Sequence, residues 1–357
     1  VLSYLLTYRK SLLIADQKEY IASITGLILN VVSYLAIILL VTWEQNYLLA
    51  LGIGTVTEVV LNIWISWYVE QKYPFLRQRR KEKSTSSLTK RIVRDLKSLF
   101  ISRISEKMLY CTDNLIISGF IGVGTVGRYA NYCMITQAIS NILTILANTI
   151  QPTVGDYFTE KNRQRNYEIL RQLTFGFFCI ASVVSVGLFS LITPFVRDIW
   201  LGPSYELGWG ITVFCIVVLL VRIMGLPLSL VMGVTGLFEK EKNVGASSAL
   251  LNLIVSLALV KPYGMAGVLL GTLLSYLLQI LYRYIIYFRD FLEMPGEALR
   301  YAQDIGEYLA VIAGEVLLMQ KIVPLIYGAG GMLLFCVCFL LCIAIPLLLD
   351  LVIFGRG

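Results

Sequence analysis

Apolar residues run in long blocks along this chain, at roughly 20–43, 46–68, 101–122, 128–154, 173–196, 207–236, 244–261, 263–288, 305–327 and 330–354, behind a shorter block at 1–14. An apolar helix needs about 20 residues, within a range of about 17–25, to cross the hydrocarbon core of a bilayer. Each of the ten full blocks meets that requirement, and charged or turn-forming residues separate them. In lipid every backbone polar group must be paired within the protein, so blocks of this length are read as helices. The pattern predicts an all-α polytopic membrane protein with about ten full transmembrane helices plus an N-terminal partial one. Composition agrees: 57% of the 357 residues are hydrophobic and 15% charged, against about 25% charged in soluble domains.

Charge then orients the blocks. If the connection holding Arg9, Lys10 and Lys18 is placed on one side and the others alternate, that side collects 25 of the 30 Lys and Arg residues, twelve of them within 70–107. Cytoplasmic loops carry this excess in membrane proteins, so the basic side is expected to face the cytoplasm. The net charge of +7 reflects the same asymmetry and does not call for nucleic acid. The run RQRRKEK at 77–83 reads first as a positive-inside anchor. The seven cysteines lie inside apolar blocks without CxxC spacing, as small hydrophobes. The chain contains no histidine, which removes imidazole metal sites and proton relays.

Polar residues inside the blocks carry the functional signal, because they are costly unless they face protein or water. Arg103, Glu106/Lys107, Tyr110, Asp113/Asn114 and Ser118 recur at helical steps and form one stripe. In the next block Gln137, Asn141, Thr144, Asn148 and Gln151 recur at steps of 4, 3, 4 and 3. Five neutral hydrogen-bonding side chains on one face suit a wall facing water or a polyhydroxyl ligand. Hydrogen bonding between helices, worth about 0.6 kcal/mol per contact, is the plainer alternative. Thr55, Glu58, Asn62 and Ser66 make a shorter stripe in 46–68. Arg222 stands mid-block, five residues before Pro227, a residue that kinks helices. It is read either as the partner of Asp113 or Glu58 in a buried ion pair, or as a cation awaiting an anionic substrate group. Glu315 and Lys321 lie in a later block and carry little weight at this level.

Catalytic motifs do not stand out. Gly122, Gly124 and Gly127 spell GxGxxG, but without the preceding strand that a dinucleotide fold requires they read as a turn. There is no Walker lysine motif, no nucleophile–base pair and no metal-ligand cluster, so no enzyme and no cofactor are expected. ADQKEYIASITGLILN (15–30) and LFEKEKNVGASSALLN (237–252) share a charged turn and a Leu-Asn placed twelve residues after a lysine. Repeated halves of this kind build many transporters, although two amphipathic hairpins can also match by chance.

TDNLIISGFIG–VG–YANY (112–132) resembles the central signature of the polysaccharide flippases of the MATE-like multidrug/oligosaccharidyl-lipid/polysaccharide transporter superfamily. LLIADQKEYI (12–21), KYP (72–74), IWLGPSYELG (199–208), TGLFEKEKNVGASSALLNLIVSLAL (235–259) and YGMAGVLLGT (263–272) support the resemblance, which extends to about residue 290. The family more often has Gly-Asn where this chain has Gly155-Asp156, which leaves the role of that helix end open. The resemblance implies a MATE-like two-bundle transporter fold of about fourteen spans, with the first three absent here and 1–14 as the fourth. On that pattern 1–68 is the remainder of the N-terminal bundle, 69–100 a basic cytoplasmic linker, 101–290 the C-terminal six-helix bundle and 291–357 a terminal helix pair.

The resemblance also implies translocation of an undecaprenyl-diphosphate-linked oligosaccharide across a bacterial plasma (inner) membrane, from the cytoplasmic to the outer leaflet. The partners would be that lipid-linked oligosaccharide, the bilayer, a polysaccharide polymerase and glycosyltransferases. Arg103, Lys107 and Arg222 suit the diphosphate, and Gln137, Asn141, Asn148 and Gln151 suit the sugars. Asp113 and Glu58 are the candidates for counter-ion or for a coupling Na⁺ or H⁺. Two rivals stay open at this level: a cation-coupled multidrug antiporter of the same fold, and a non-transporting scaffold for glycan assembly.

Overall fold

The computed structural model describes residues 12–13, 16, 18–44, 47–74, 111–158, 162–235, 237–328 and 331–354. Among them every regular element is helical. We number the helices α1 (Glu19–Glu44), α2 (Tyr47–Lys72), α3 (111–120), α4 (Val123–Phe158), α5 (Arg163–Pro194), α6 (Trp209–Thr235), α7 (Phe238–Tyr263), α8 (Met265–Ile285), α9 (Pro295–Tyr327) and α10 (Met332–Phe354). Nine of them are long and apolar enough to cross a membrane. The block expected at 101–122 is described only from residue 111, and the block at 1–14 lies almost wholly outside the described residues.

The chain divides into two compact units, Val1–Ser86 and Ser87–Gly357. In the first, α1 packs on α2 around a small core of Leu13, Ala22, Ile65 and Val69. The hydroxyls of Thr57 and Ser33 lie 3.0 Å apart between the two helices. Ile24, Leu27, Ile28, Leu35 and Leu39 stay exposed on α1, an arrangement unfavourable in water and natural against acyl chains. Before α1, Asp16 accepts hydrogen bonds from Lys18 and from the Tyr73 hydroxyl. These two donors hold its carboxyl below the usual carboxylate range.

The second unit is organised on α6, which packs against α4, α5 and α8, while α9 and α10 pack on α5. Phe178, Val186, Ile216, Ile223, Val268 and Leu269 are buried in its main core. The approach of α7 to α8 is set by the sequence Gly-Val-Leu-Leu-Gly at 267–271, since small residues four apart let helix backbones meet in a membrane. A Cβ at Gly267 would lie 2.3 Å from the Leu259 carbonyl oxygen, and one at Gly271 would lie 2.4 Å from Ser256 Oγ. Two helices end in a wider π-helical turn, α5 at Phe195–Trp200 and α8 at Ile286–Leu292. The GxGxxG glycines fall at the α3–α4 turn, where Gly122 has φ +125°, a conformation that side chains disfavour.

Candidate functional site

The polar stripe of α3 brings Asp113 into the interior, where only 5% of it is exposed, beside the buried Ile116 and Ile117. Its hydrogen bonds come from α7 and α8. Thr272 Oγ1 donates to Oδ2 at 2.7 Å, and Asn252 Nδ2 reaches Oδ1 at 3.5 Å. Asn252 Nδ2 also lies 2.9 Å from Thr272 Oγ1, so the three side chains form a closed cluster. Asn252 and Thr272 are themselves buried, and Asn252 Oδ1 has no hydrogen-bond partner among the described residues. The Val268 carbonyl completes this polar patch, accepting from Ser256 Oγ at 3.3 Å.

Beside the cluster lies a cavity of about 550 Å³, lined by residues of α3, α4, α6 and α8. Asp113 and Asn114 face it from α3, Gln137, Asn141 and Thr144 from α4, and Arg222 from α6. The helical steps that placed these side chains on single faces therefore converge on one space. The volume falls within the range of about 300–1,000 Å³ usual for small-molecule pockets. Asp113 and Arg222 are the charged side chains among its described lining residues. The carboxylate is nevertheless held by the neutral Thr272 and Asn252 rather than by the guanidinium. Of the readings open for Arg222, the ion pair with Asp113 is not formed: neutral hydrogen bonds satisfy the buried carboxylate without also burying a cation against it.

Other sequence candidates fall elsewhere. Asn148 is exposed on α4, beyond the residues that line the cavity. Gln151 is half-buried and occupies the space left by the missing side chain of Gly233 on α6, whose Cβ would lie 2.8 Å from Gln151 Nε2. Glu58 belongs to the N-terminal unit and is exposed on α2, where its backbone carbonyl accepts from Asn62 Nδ2 at 2.7 Å. Arg103 and Lys107 lie outside the described residues. Sequence reasoning missed Thr272, and it noted Asn252 only as a landmark of the repeat.

Comparison with known proteins adds two observations. Residues 1–158 match the family described as "Polysaccharide biosynthesis protein". The second is structural: 99% of the chain aligns with 71% of "Lipid II flippase MurJ, inward closed conformation", with a TM-score of 0.65 and 17% sequence identity. The chain shares the fold of that structure. No curated protein matches the sequence. The shared fold across nearly the whole chain and the family match across residues 1–158 support the resemblance read from the motifs. They also establish the chain as an all-α polytopic membrane protein. Within that fold the cavity lies among α3, α4, α6 and α8 of the C-terminal unit.

Proposed function

We propose that this protein moves an undecaprenyl-diphosphate-linked oligosaccharide from the cytoplasmic to the outer leaflet of a bacterial inner membrane by alternating access. The observation that carries this reading is the lining of the cavity, where the Arg222 guanidinium shares one space with Gln137, Asn141 and Thr144. A guanidinium presents a planar fork of donors that matches diphosphate oxygens. Side-chain amides donate and accept together, as sugar hydroxyls do. Arg103 and Lys107 would add cations near the cytoplasmic entrance, with the basic segment 69–100 on the same side. Asn148 and Gln151 would extend the amide face toward a longer glycan, and the lipid tail would stay in the bilayer. A glycan polymerase and glycosyltransferases would act after and before this step.

In this reading the cluster around Asp113 is where transport couples to an ion. Its hard oxygen donors are the Asp113 carboxylate, Thr272 Oγ1 and Asn252 Oδ1, which has no partner among the described residues. Such donors suit Na⁺ or a proton and do not suit a soft metal. A change of charge there would bias the packing of α3 against α7 and α8, elements that the cluster already ties together.

The test is export of surface glycan in cells expressing variants at equal level. Arg222→Ala is expected to reduce export at least about tenfold, by loss of a charge-assisted contact of about 1.5–3 kcal/mol. Arg222→Lys should restore only part of it, because the ammonium keeps the charge and loses the fork. Unchanged export in Arg222→Ala would sink the assignment of the diphosphate to this cavity. Efflux of a fluorescent organic cation that needs Asp113 and not Arg222 would instead identify a drug antiporter. Reconstituted protein that moves no lipid-linked sugar between leaflets would leave the scaffold reading.

A further inference from the structure

We propose that Glu315 and Asp350 form a second ionisable site, a proton-binding carboxyl pair where α9 and α10 meet α5, apart from the cavity. In α10 Asp350 is the single charged residue of MLLFCVCFLLCIAIPLLLDLVIF, and in α9 Glu315 stands within the apolar run LAVIAGEVLLM. Ionisable residues at such positions are costly and persist only with a partner or a use. Both turn inward: Glu315 is 3% exposed and Asp350 1%. They lie against each other and against Ser182 of α5.

Of the four carboxyl oxygens, one is accounted for. Ser182 Oγ donates to Glu315 Oε2 at 2.6 Å. Glu315 Oε1 and both oxygens of Asp350 have no hydrogen-bond partner among the described residues. Cys179 of α5 is the further titratable side chain that faces the pair. No lysine or arginine among the described residues acts on either carboxyl. Two ionised carboxylates in contact, out of water and without a cation, repel each other and lack solvation, so they hold a proton in common. One proton between Glu315 Oε1 and an Asp350 oxygen gives each of those atoms a partner and lowers the charge of the pair to −1. The Ser182 bond remains on the other Glu315 oxygen.

The site is independent of the flippase reading, and its test reads protonation rather than transport. Purified protein in liposomes would be titrated while the infrared carbonyl band of protonated carboxyl groups is followed. The wild type is expected to keep a protonated-carboxyl band at neutral pH. In Glu315→Gln and in Asp350→Asn the titration of that component should differ from the wild type by about one pH unit or more, as one like charge is removed. Asp113 contributes equally to all three spectra and cancels in the comparison. Dicyclohexylcarbodiimide, which attacks protonated carboxyls in apolar settings, should modify Glu315 or Asp350 in the wild type at neutral pH, as read by peptide mass spectrometry. A titration identical in both variants and the wild type would overturn the shared proton. Na⁺-dependent loss of the band at fixed pH would also overturn it, replacing the proton with a metal ion.

Discussion

Gly267→Ala is expected to cost the protein most of its folded yield, whereas the same change at Gly187 should cost nothing. Alanine is the better helix former by about 1 kcal/mol, so in open space the substitution stabilises a helix. Gly187, in α5, has no atom within 4 Å of the position its Cβ would take. At Gly267 the new methyl would lie 2.3 Å from the Leu259 carbonyl oxygen and 2.6 Å from its carbon. Those are backbone atoms of α7, so the clash is relieved only by moving one helix away from the other. Overpacking of that kind costs typically about 1–3 kcal/mol and sometimes more, which exceeds the gain in propensity. Gly271→Ala should be milder, because its nearest neighbour is the hydroxyl of Ser256 at 2.4 Å and a hydroxyl can rotate away. Melting of the detergent-solubilised protein, followed by size-exclusion chromatography, checks the order Gly187→Ala, Gly271→Ala, Gly267→Ala. Equal stability of the first and last would mean that α7 and α8 are not packed this closely.

That hairpin also marks the boundary of what could be read from the sequence. Asp113, Gln137, Asn141 and Arg222 were legible because a polar side chain in an apolar helix has a phase, and phase is a local property. Their convergence on one cavity follows from each helix turning its polar face inward. The partners of Asp113 were not legible, since Asn252 and Thr272 stand 139 and 159 residues away. No spacing rule relates residues on different helices. An ion pair with Arg222 is one of the readings that charge alone allows, and two neutral donors brought in by the α7–α8 contact stand in its place. The α4 stripe shows the opposite limit. From Gln137 to Gln151 it runs about 21 Å along the helix axis, farther than the cavity reaches, and its end is used by packing against Gly233. Glu315 looked minor because its block stands outside the repeat. Its importance rests on Asp350, which only the packing of α10 on α5 and α9 reveals.

Asp113→Asn should separate folding from function more sharply than any other change in the cluster. The amide has nearly the same shape as the carboxylate, so the packing of Ile116 and Ile117 around it is kept. One of its two terminal groups becomes a donor that faces the donors of Thr272 and Asn252. Thr272 has an alternative acceptor, since its Oγ1 already lies 3.4 Å from the Val268 carbonyl, and Asn252 Nδ2 keeps Thr272 Oγ1 at 2.9 Å. The cost in stability is therefore that of about one exchanged hydrogen bond, about 0.5–1.5 kcal/mol, and the protein should still reach the membrane. What the amide cannot do is carry a negative charge or take up and release an ion in its place. If coupling runs through this cluster, export of glycan should fall by a hundredfold or more, about 2.7 kcal/mol, at normal membrane level. Thr272→Val should lose less export, because the carboxylate remains, and its effect should not add to that of Asp113→Asn. Two variants that each keep full export would place coupling elsewhere. A variant that loses export only in proportion to its membrane level would make the cluster purely structural.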